Sequence, residues 1–566
     1  MKSSLPGGSP GDVSKLLQNA KQNHKAGRLR AAEGLYRKAL ELSPNNAEAM
    51  HFLGLLQHQQ GKGTAAVDLM RRSLALKPDS GEYHSNLGMV LASLGRAEEA
   101  IEVLDRAVAL NPDHAEAHNN RGGALDRLGR GDEAIAAWKR AVELRPNYAE
   151  PHNHLGQKLS AGGKIDEAIA HFETAAKANP RNAEAHNNLG IALRKKGQLA
   201  EAGKAFRRAT ELRPDFAEAL SNLGTALNEQ GRPDEASGYL QKAADLRPDF
   251  VDAHWNLSLS LLARGEFEKG WLEYEWRRHL PADLSLHRSF PQPEWNGGSV
   301  DGRTVLVIAE QGLGDTLQFV RYVPLLARRG AKVVLECQPR LRPLLQSVDG
   351  LSAIVAHGEP LPRFDTHARL MSLAGIFGTR LGNIPAATPY LRADARRIQQ
   401  WKSRLPEKSF NIGIAWQGNP TFPGDRSRSI PLRHFAPLAA VPGVRLFSLQ
   451  KNAGAEQAAA LDDQFQLTEF SPALDEGCGA FEDTAAVIMS LDLVITSDTS
   501  MAHLAGALGR PVWVGLCFGC DWRFLRNRDD SPWYPTMRLF RQTDTRDYEA
   551  VLDRVRGELL RLIAAG

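Results

Sequence analysis

A β-branched apolar run, LDLVI at 491–495, ends in Thr496, Ser497, Asp498, Thr499 and Ser500, and MAHLAGALG follows with the Ala and Leu content of a helix. Side-chain oxygens at such a point accept the unpaired N–H groups of the first turn, which is plain capping. The same N–H groups and the helix dipole also hold anions such as phosphates. Two chemistries are therefore open for this stretch, a cap or an anion cradle. Cys517 and Cys520 form a C-x-x-C that raises redox or zinc chemistry. No second C-x-x-C or paired His follows at ligand spacing, and the pair succeeds a strand instead of opening a helix that would lower a thiol pKa. It reads as incidental.

The elements that must position such residues begin with an internal repeat. Gly54, Gly88, Gly122, Gly156, Gly190 and Gly224 recur at a constant step of 34, as do Pro44 to Pro248, Gly27 to Gly265 and Ala32 to Ala236. Small residues let two helices approach, the second Gly series turns the chain between them, and Pro follows the second helix. This pattern resembles the tetratricopeptide repeat over residues 13–279, with seven full repeats and a shorter eighth. The resemblance implies an α solenoid with a concave face for protein or peptide partners. Asn86, Asn120, Asn188, Asn222 and Asn256 lie two residues before the first Gly series or its equivalent position. Asn is a mediocre helix former with both a donor and an acceptor. Its recurrence is similar to the asparagine ladder of the O-linked N-acetylglucosamine transferases, which implies an acceptor peptide held by its backbone. Amides joining neighbouring repeats are the alternative. His84, His118, His152, His186 and His254 recur once per repeat, too widely spaced to share a metal, and read as packing residues.

Bulk properties narrow the remaining classes. The 566 residues are 42% apolar and 24% charged, with a net charge of +4. That balance is too mild to argue for nucleic acid or an anionic membrane. No run is long and apolar enough for a membrane span. The opening MKSSLPGGSPGDVSK reads as a flexible leader over 1–12, and a cytoplasmic location is expected.

Residues 280–302 read as an irregular connector, after which strand and helix patterns alternate. TVLVIAE, AKVVLEC, NIGIAWQ, VRLFSLQ, DLVITS and PVWVGL are the strands, and the alternation predicts two parallel-sheet lobes, 303–395 and 396–566. In such sheets ligands bind at the carboxyl ends of strands, where the 496–500 cluster lies. GLGDTLQF after the first strand and DTSMAHLAGALGRP in the second lobe resemble the heptosyltransferase-like glycosyltransferases of family 9. The combination with repeats resembles bacterial tetratricopeptide-repeat glycosyltransferases, some of which modify flagellins. The resemblance implies the GT-B fold of two Rossmann-like lobes, acceptor side first and nucleotide-sugar side second, with a terminal helix. It also implies roles. Asp498, Thr499, Ser500 and His503 hold the donor diphosphate, Arg428 stands where the family has a lysine, and Glu456 lies near the ribose. Asp315 is the base, and Gly312 and Gly314 let the backbone pass close to substrate.

The resulting expectation is an inverting, metal-independent transfer of a sugar from a nucleotide sugar, the co-substrate, to a protein held in the solenoid groove. No cofactor or metal is expected, since no D-x-D triplet follows residue 303. A non-catalytic repeat scaffold and a transferase acting on a lipid-linked or cell-surface saccharide are the alternatives. The short first lobe suggests that acceptor selection has passed to the solenoid.

Overall fold

The computed structural model describes residues 10–280, 288–422, 424–461, 465–470, 474–476, 479–543 and 547–565. Most of the leader and residues 281–287 of the connector lie outside the described residues. The chain divides into two compact units, Met1–Pro214 and Asp215–Gly566.

The first unit is a helical solenoid whose helices run in pairs from Pro10–Lys25 to Leu199–Leu212. Glycine is required where each pair closes. A Cβ on Gly88 would lie 2.3 Å from Leu104 Cγ, and one on Gly122 would lie 2.5 Å from Trp138 Nε1. The second Gly series adopts left-handed backbone, as at Gly95 with φ of 78°. The recurring histidines have a further task. Nε2 of His84, His118 and His152 donates to the carbonyl of Pro78, Pro112 and Pro146 at 2.9, 2.9 and 3.0 Å. Each ring thus satisfies a carbonyl that proline leaves outside the helical ladder. They pack, and they also tie down the turn.

The second unit opens with four more helices, Ala217–Glu229, Pro233–Leu246, Val251–Ala263 and Phe267–Tyr274. The last stops after 8 residues and passes into a 3₁₀ turn, Glu275–His279. It is short because it is absorbed into the α/β core. Trp271 stacks edge-on against Trp522 at 5.4 Å, and its Nε1 donates to the Thr379 carbonyl at 2.9 Å. Trp295, Trp522 and Trp533 share this core with Trp271, whereas Trp416 and Trp513 belong to a second cluster.

Two parallel sheets follow. Strands β1 (Thr304–Ile308), β2 (Lys332–Cys337), β3 (Leu351–Ala356) and β4 (Thr366–Arg369) form the first, in the order β3-β2-β1-β4. Strands β5 (Phe410–Ala415), β6 (Val444–Ser448), β7 (Leu467–Glu469), β8 (Leu493–Ser497), β9 (Val512–Leu516) and β10 (Met537–Arg541) form the second. Their order is β10-β9-β8-β5-β6-β7. Central strands such as β8 and β9 are buried along their whole length, and so they read as unbroken apolar runs. Strands β3, β4, β7 and β10 escape the sequence pattern because they are short, polar or lie at sheet edges. Strand order reverses between β1 and β4 in one sheet, and between β5 and β8 in the other.

Buried Arg321 ties the surroundings of the two sheets together. It donates to the Trp533 carbonyl at 2.7 Å and the Tyr390 hydroxyl at 2.8 Å, and its guanidinium lies 4.5 Å from the Tyr534 ring centre. The crossing segment adds the helix Ala395–Lys402, whose Arg397 and Trp401 both donate to Asp483 Oδ1.

Candidate functional site

Open α/β sheets leave a crevice where strand order reverses, outside the carboxyl ends of the strands. The segments that follow β1, β5 and β8 carry Asp315, Arg428 and Asp498 respectively, so both reversal points contribute. Gln311 after β1 takes a left-handed φ of 61°, and Gly312 then opens the helix Leu313–Phe319. Asp315 closes that first turn by accepting from the Gly312 N–H at 2.9 Å. A Cβ on Gly314 would lie 3.1 Å from His503 Cδ2 and 3.4 Å from Ser500 Cα. That absent side chain lets the start of the Leu313–Phe319 helix lie against the start of the Ser500–Ala507 helix. Residues from two different sheets thereby meet.

On the second sheet, Thr499 is the N-cap and its hydroxyl accepts from the Met501 N–H at 3.3 Å. Ser497 Oγ is buried and has no partner among the described residues. His503 Nδ1 lies 3.0 Å from the Tyr534 hydroxyl, and burial next to Arg523 pushes its pKa well below the usual range, so the ring is neutral. Asp498 is pushed up to about 7, first by burial and then by Asp521, against the pull of Arg428 and Arg523. Arg428 ends the short helix Asp425–Arg428, donates to Asp425 Oδ1 at 3.2 Å, and lies 4.7 Å from the Phe422 ring. Gly418 makes room for it, because a Cβ there would lie 2.5 Å from Arg428 Nη2.

Burial raises Asp315 above the ordinary carboxylate range, and Arg523 opposes that shift. Arg523 is the residue that sequence reasoning missed. It donates to Asp315 Oδ1 at 2.5 Å, to both oxygens of Asp521 at 3.0 Å, and to Gln318 Oε1. Its signal in the sequence is its place, since Asp521-Trp522-Arg523 follows the carboxyl end of β9. Burial pushes Cys517 up to about 12 and also raises Cys520.

The other expected residues lie on further elements. Glu456 opens the helix Glu456–Ala459 after β6 and is exposed, while its neighbour Gln457 turns inward to Gln417 at 2.9 Å. In the solenoid, Asn86, Asn120 and Asn188 each donate to the preceding repeat: to His51 at 3.0 Å, Ser85 at 3.2 Å and Asn153 at 3.0 Å. Asn256 donates instead to the carbonyl of Asp252 in its own helix at 2.8 Å. One such bond leaves each amide with a second N–H and an oxygen. Where His154 interrupts the series, Asn119 Oδ1 is buried without a partner among the described residues.

Among the described residues, no group of three His, Cys, Asp or Glu side chains is placed to hold a metal, and no helix is long and apolar enough to cross a membrane.

Known proteins match in two regions. The tetratricopeptide repeat family matches residues 25–81, 85–149, 155–215, 204–249 and 221–270. Glycosyltransferase family 9 (heptosyltransferase) matches residues 431–519, a stretch that includes Glu456, Asp498 and His503 and starts just after Arg428. Protein FlbA of Caulobacter vibrioides is 26% identical over 317 residues, covering 52% of each chain. The chain thus spans about half the length of the curated relative it matches. Among solved structures, Pseudomonas aeruginosa pilF is 22% identical over 37% of this chain and 94% of its own, with a TM-score of 0.35. YrrB, a tetratricopeptide-repeat protein with an unusual peptide-binding site, is 24% identical over 32% of this chain and 95% of its own, with a TM-score of 0.29. The protein therefore carries tetratricopeptide repeats across its N-terminal region and a glycosyltransferase family 9 domain towards its C-terminus.

Proposed function

We propose that this protein transfers a sugar from a nucleotide sugar to a protein hydroxyl, by an inverting, metal-independent route on a GT-B-type pair of lobes. The observation that carries the reading is the approach at Gly314, which brings Asp315 of one sheet beside the Ser500–Ala507 helix start of the other. The donor diphosphate lies at that helix start, where unpaired N–H groups and the dipole favour an anion. Arg428 neutralises the leaving phosphate. Asp315 removes the acceptor proton as the oxygen attacks, and a raised carboxylate pKa suits that task at neutral pH. Asp498, held near neutrality, adds no full negative charge beside the diphosphate and can donate a hydrogen bond to it.

The direct test is intact-mass analysis of candidate acceptors, flagellins included, incubated with UDP-, GDP-, dTDP-, ADP- and CMP-linked sugars. A mass gain on a protein supports the reading, and none with any pairing favours a scaffold. Product found only on a lipid-linked saccharide would move the acceptor away from protein.

Arg428→Gln tests the donor side. A charge-assisted hydrogen bond is worth about 1.5–3 kcal/mol, so calorimetry should show donor affinity weakened by roughly 10- to 150-fold. Unchanged affinity removes Arg428 from the donor site.

The acceptor side rests on the solenoid amides. Asn120→Ala with Asn188→Ala should lower protein glycosylation while donor hydrolysis continues. Each substitution also removes an inter-repeat hydrogen bond, worth about 1 kcal/mol, so thermal melting is recorded in parallel. A fall in melting temperature with glycosylation intact assigns these amides to repeat stacking alone.

A further inference from the structure

One guanidinium stands between the proposed base, Asp315, and a second carboxylate, Asp521. Arg523 is only 7% exposed, and its donors are spent on Asp315, Asp521 and Gln318. Its plane is wedged by Trp522, whose ring centre lies 4.6 Å away, and by Phe319 at 5.8 Å. Asp521 holds the backbone too, accepting from the Arg523 N–H at 2.9 Å.

The loop carrying both residues is seated on the seventh repeat. A Cβ on Gly519 would lie 2.3 Å from the Glu229 carbonyl oxygen, and one on Gly231 would lie 2.8 Å from the Phe518 carbonyl oxygen. Arg526 and Arg264 both pair with Asp234. The loop therefore has no slack, and Arg523 meets Asp315 at a fixed place.

We infer that Arg523 and Asp521 are positioning residues for Asp315: Arg523 aims its carboxylate, and Asp521 competes for the same guanidinium so that the base is not over-stabilised. This rests on the assignment of Asp315 as base. Among the described residues, the charged and titratable groups around Asp315 include Arg523 and Asp521 from the loop after β9, Asp498 from the loop after β8, and Arg428, which acts on Asp498 and His503. His503 comes from the facing helix, and Tyr274 from the eighth repeat. Tyr274 is held protonated by burial and His503 is neutral, so the balance is set by the carboxylates with Arg523 in direct contact and Arg428 acting through Asp498. Arg523 favours the ionised form of Asp315, and Asp521 opposes it.

Opposite shifts follow. In Arg523→Gln the acid limb of the kcat/KM profile should move up by about 1 pH unit or more. In Asp521→Asn it should move down, because Arg523 then serves Asp315 alone. The reaction followed is hydrolysis, in the full-length protein, of whichever UDP-, GDP-, dTDP-, ADP- or CMP-linked sugar is turned over. A structural role alone would lower the active fraction and leave both limbs in place, which overturns the inference. A shift of the same sign in both variants also overturns it. If Arg523→Gln does not fold, Asp521→Asn decides alone, since its amide oxygen keeps the cap on the Arg523 N–H. Full activity in Asp315→Asn, or no turnover of any donor, removes the base assignment and this inference with it. An inactive Asp315→Asn with unmoved limbs in the other two variants leaves the base in place and rejects only the positioning role.

Discussion

Asp315→Asn is expected to lose a factor on the order of 10²–10⁴ in turnover, the usual contribution of a placed general base, with donor affinity nearly unchanged. The carboxylate accepts from the Gly312 N–H on one oxygen and from Arg523 on the other. An amide has only one oxygen, so it keeps one of those bonds and leaves the other donor unmatched. That cost is about 1–3 kcal/mol of stability, and turnover must therefore be measured per folded molecule at saturating donor. Glu310 is the nearby acidic alternative to Asp315 as the base, and its surroundings suit that role less. Glu310 lies five residues away at the end of β1, but it is 1% exposed and its Oε1 is taken by Arg277. Full activity in Asp315→Asn would pass the role to Asp498, whose pKa near 7 also suits a base.

The second large effect concerns that buried pair. Arg277 is 0% exposed and donates to Glu310 through both Nε, at 2.8 Å, and Nη2, at 2.5 Å. Its Nη1 reaches Glu275 at 2.7 Å, and Ser372 bridges the group from the first sheet's side. Arg277→Met should destabilise the Asp215–Gly566 unit by about 3–5 kcal/mol at neutral pH, because Glu310 is left buried without its cation. Arg369 is 3.8 Å from Glu310 Oε2, too far to replace the lost hydrogen bonds.

The pH dependence of that loss has a definite sign. Burial raises the pKa of folded Glu310 even with Arg277 present, and losing the cation raises it further. A carboxyl with a raised folded pKa contributes stability that is full below its unfolded pKa and is lost as pH rises through the folded one. The deficit of Arg277→Met should therefore shrink as pH falls below the folded pKa of Glu310 towards its unfolded value. The double variant Arg277→Met with Glu310→Gln should recover part of it at neutral pH. Calorimetric unfolding across that range checks both statements. A deficit that does not change with pH would mean that packing, not charge, is what Arg277 supplies.

Sequence alone determined the repeats, their period and the positions of their glycines and prolines. Each repeat writes the same local instruction, a close helix approach at Gly88 or Gly122 and a left-handed turn at Gly95, so periodicity reveals it. The long apolar strands were legible because strands buried on both faces show no polar alternation, and the helix start after β8 was legible from its Thr and Ser oxygens. Tertiary structure alone decided which charges meet. Asp315 and Arg523 are 208 residues apart, and Arg277 and Glu310 are 33 apart. Their pairing depends on strand order and on how the last repeats enter the α/β core, and no local propensity encodes either. The same holds for the solenoid, where the recurrence of Asn is visible in the chain but its partner lies 35 residues back, in the repeat before. A pKa such as that of Asp498 is likewise set by burial and by neighbours from other strand ends, which exist only once the sheets have been assembled.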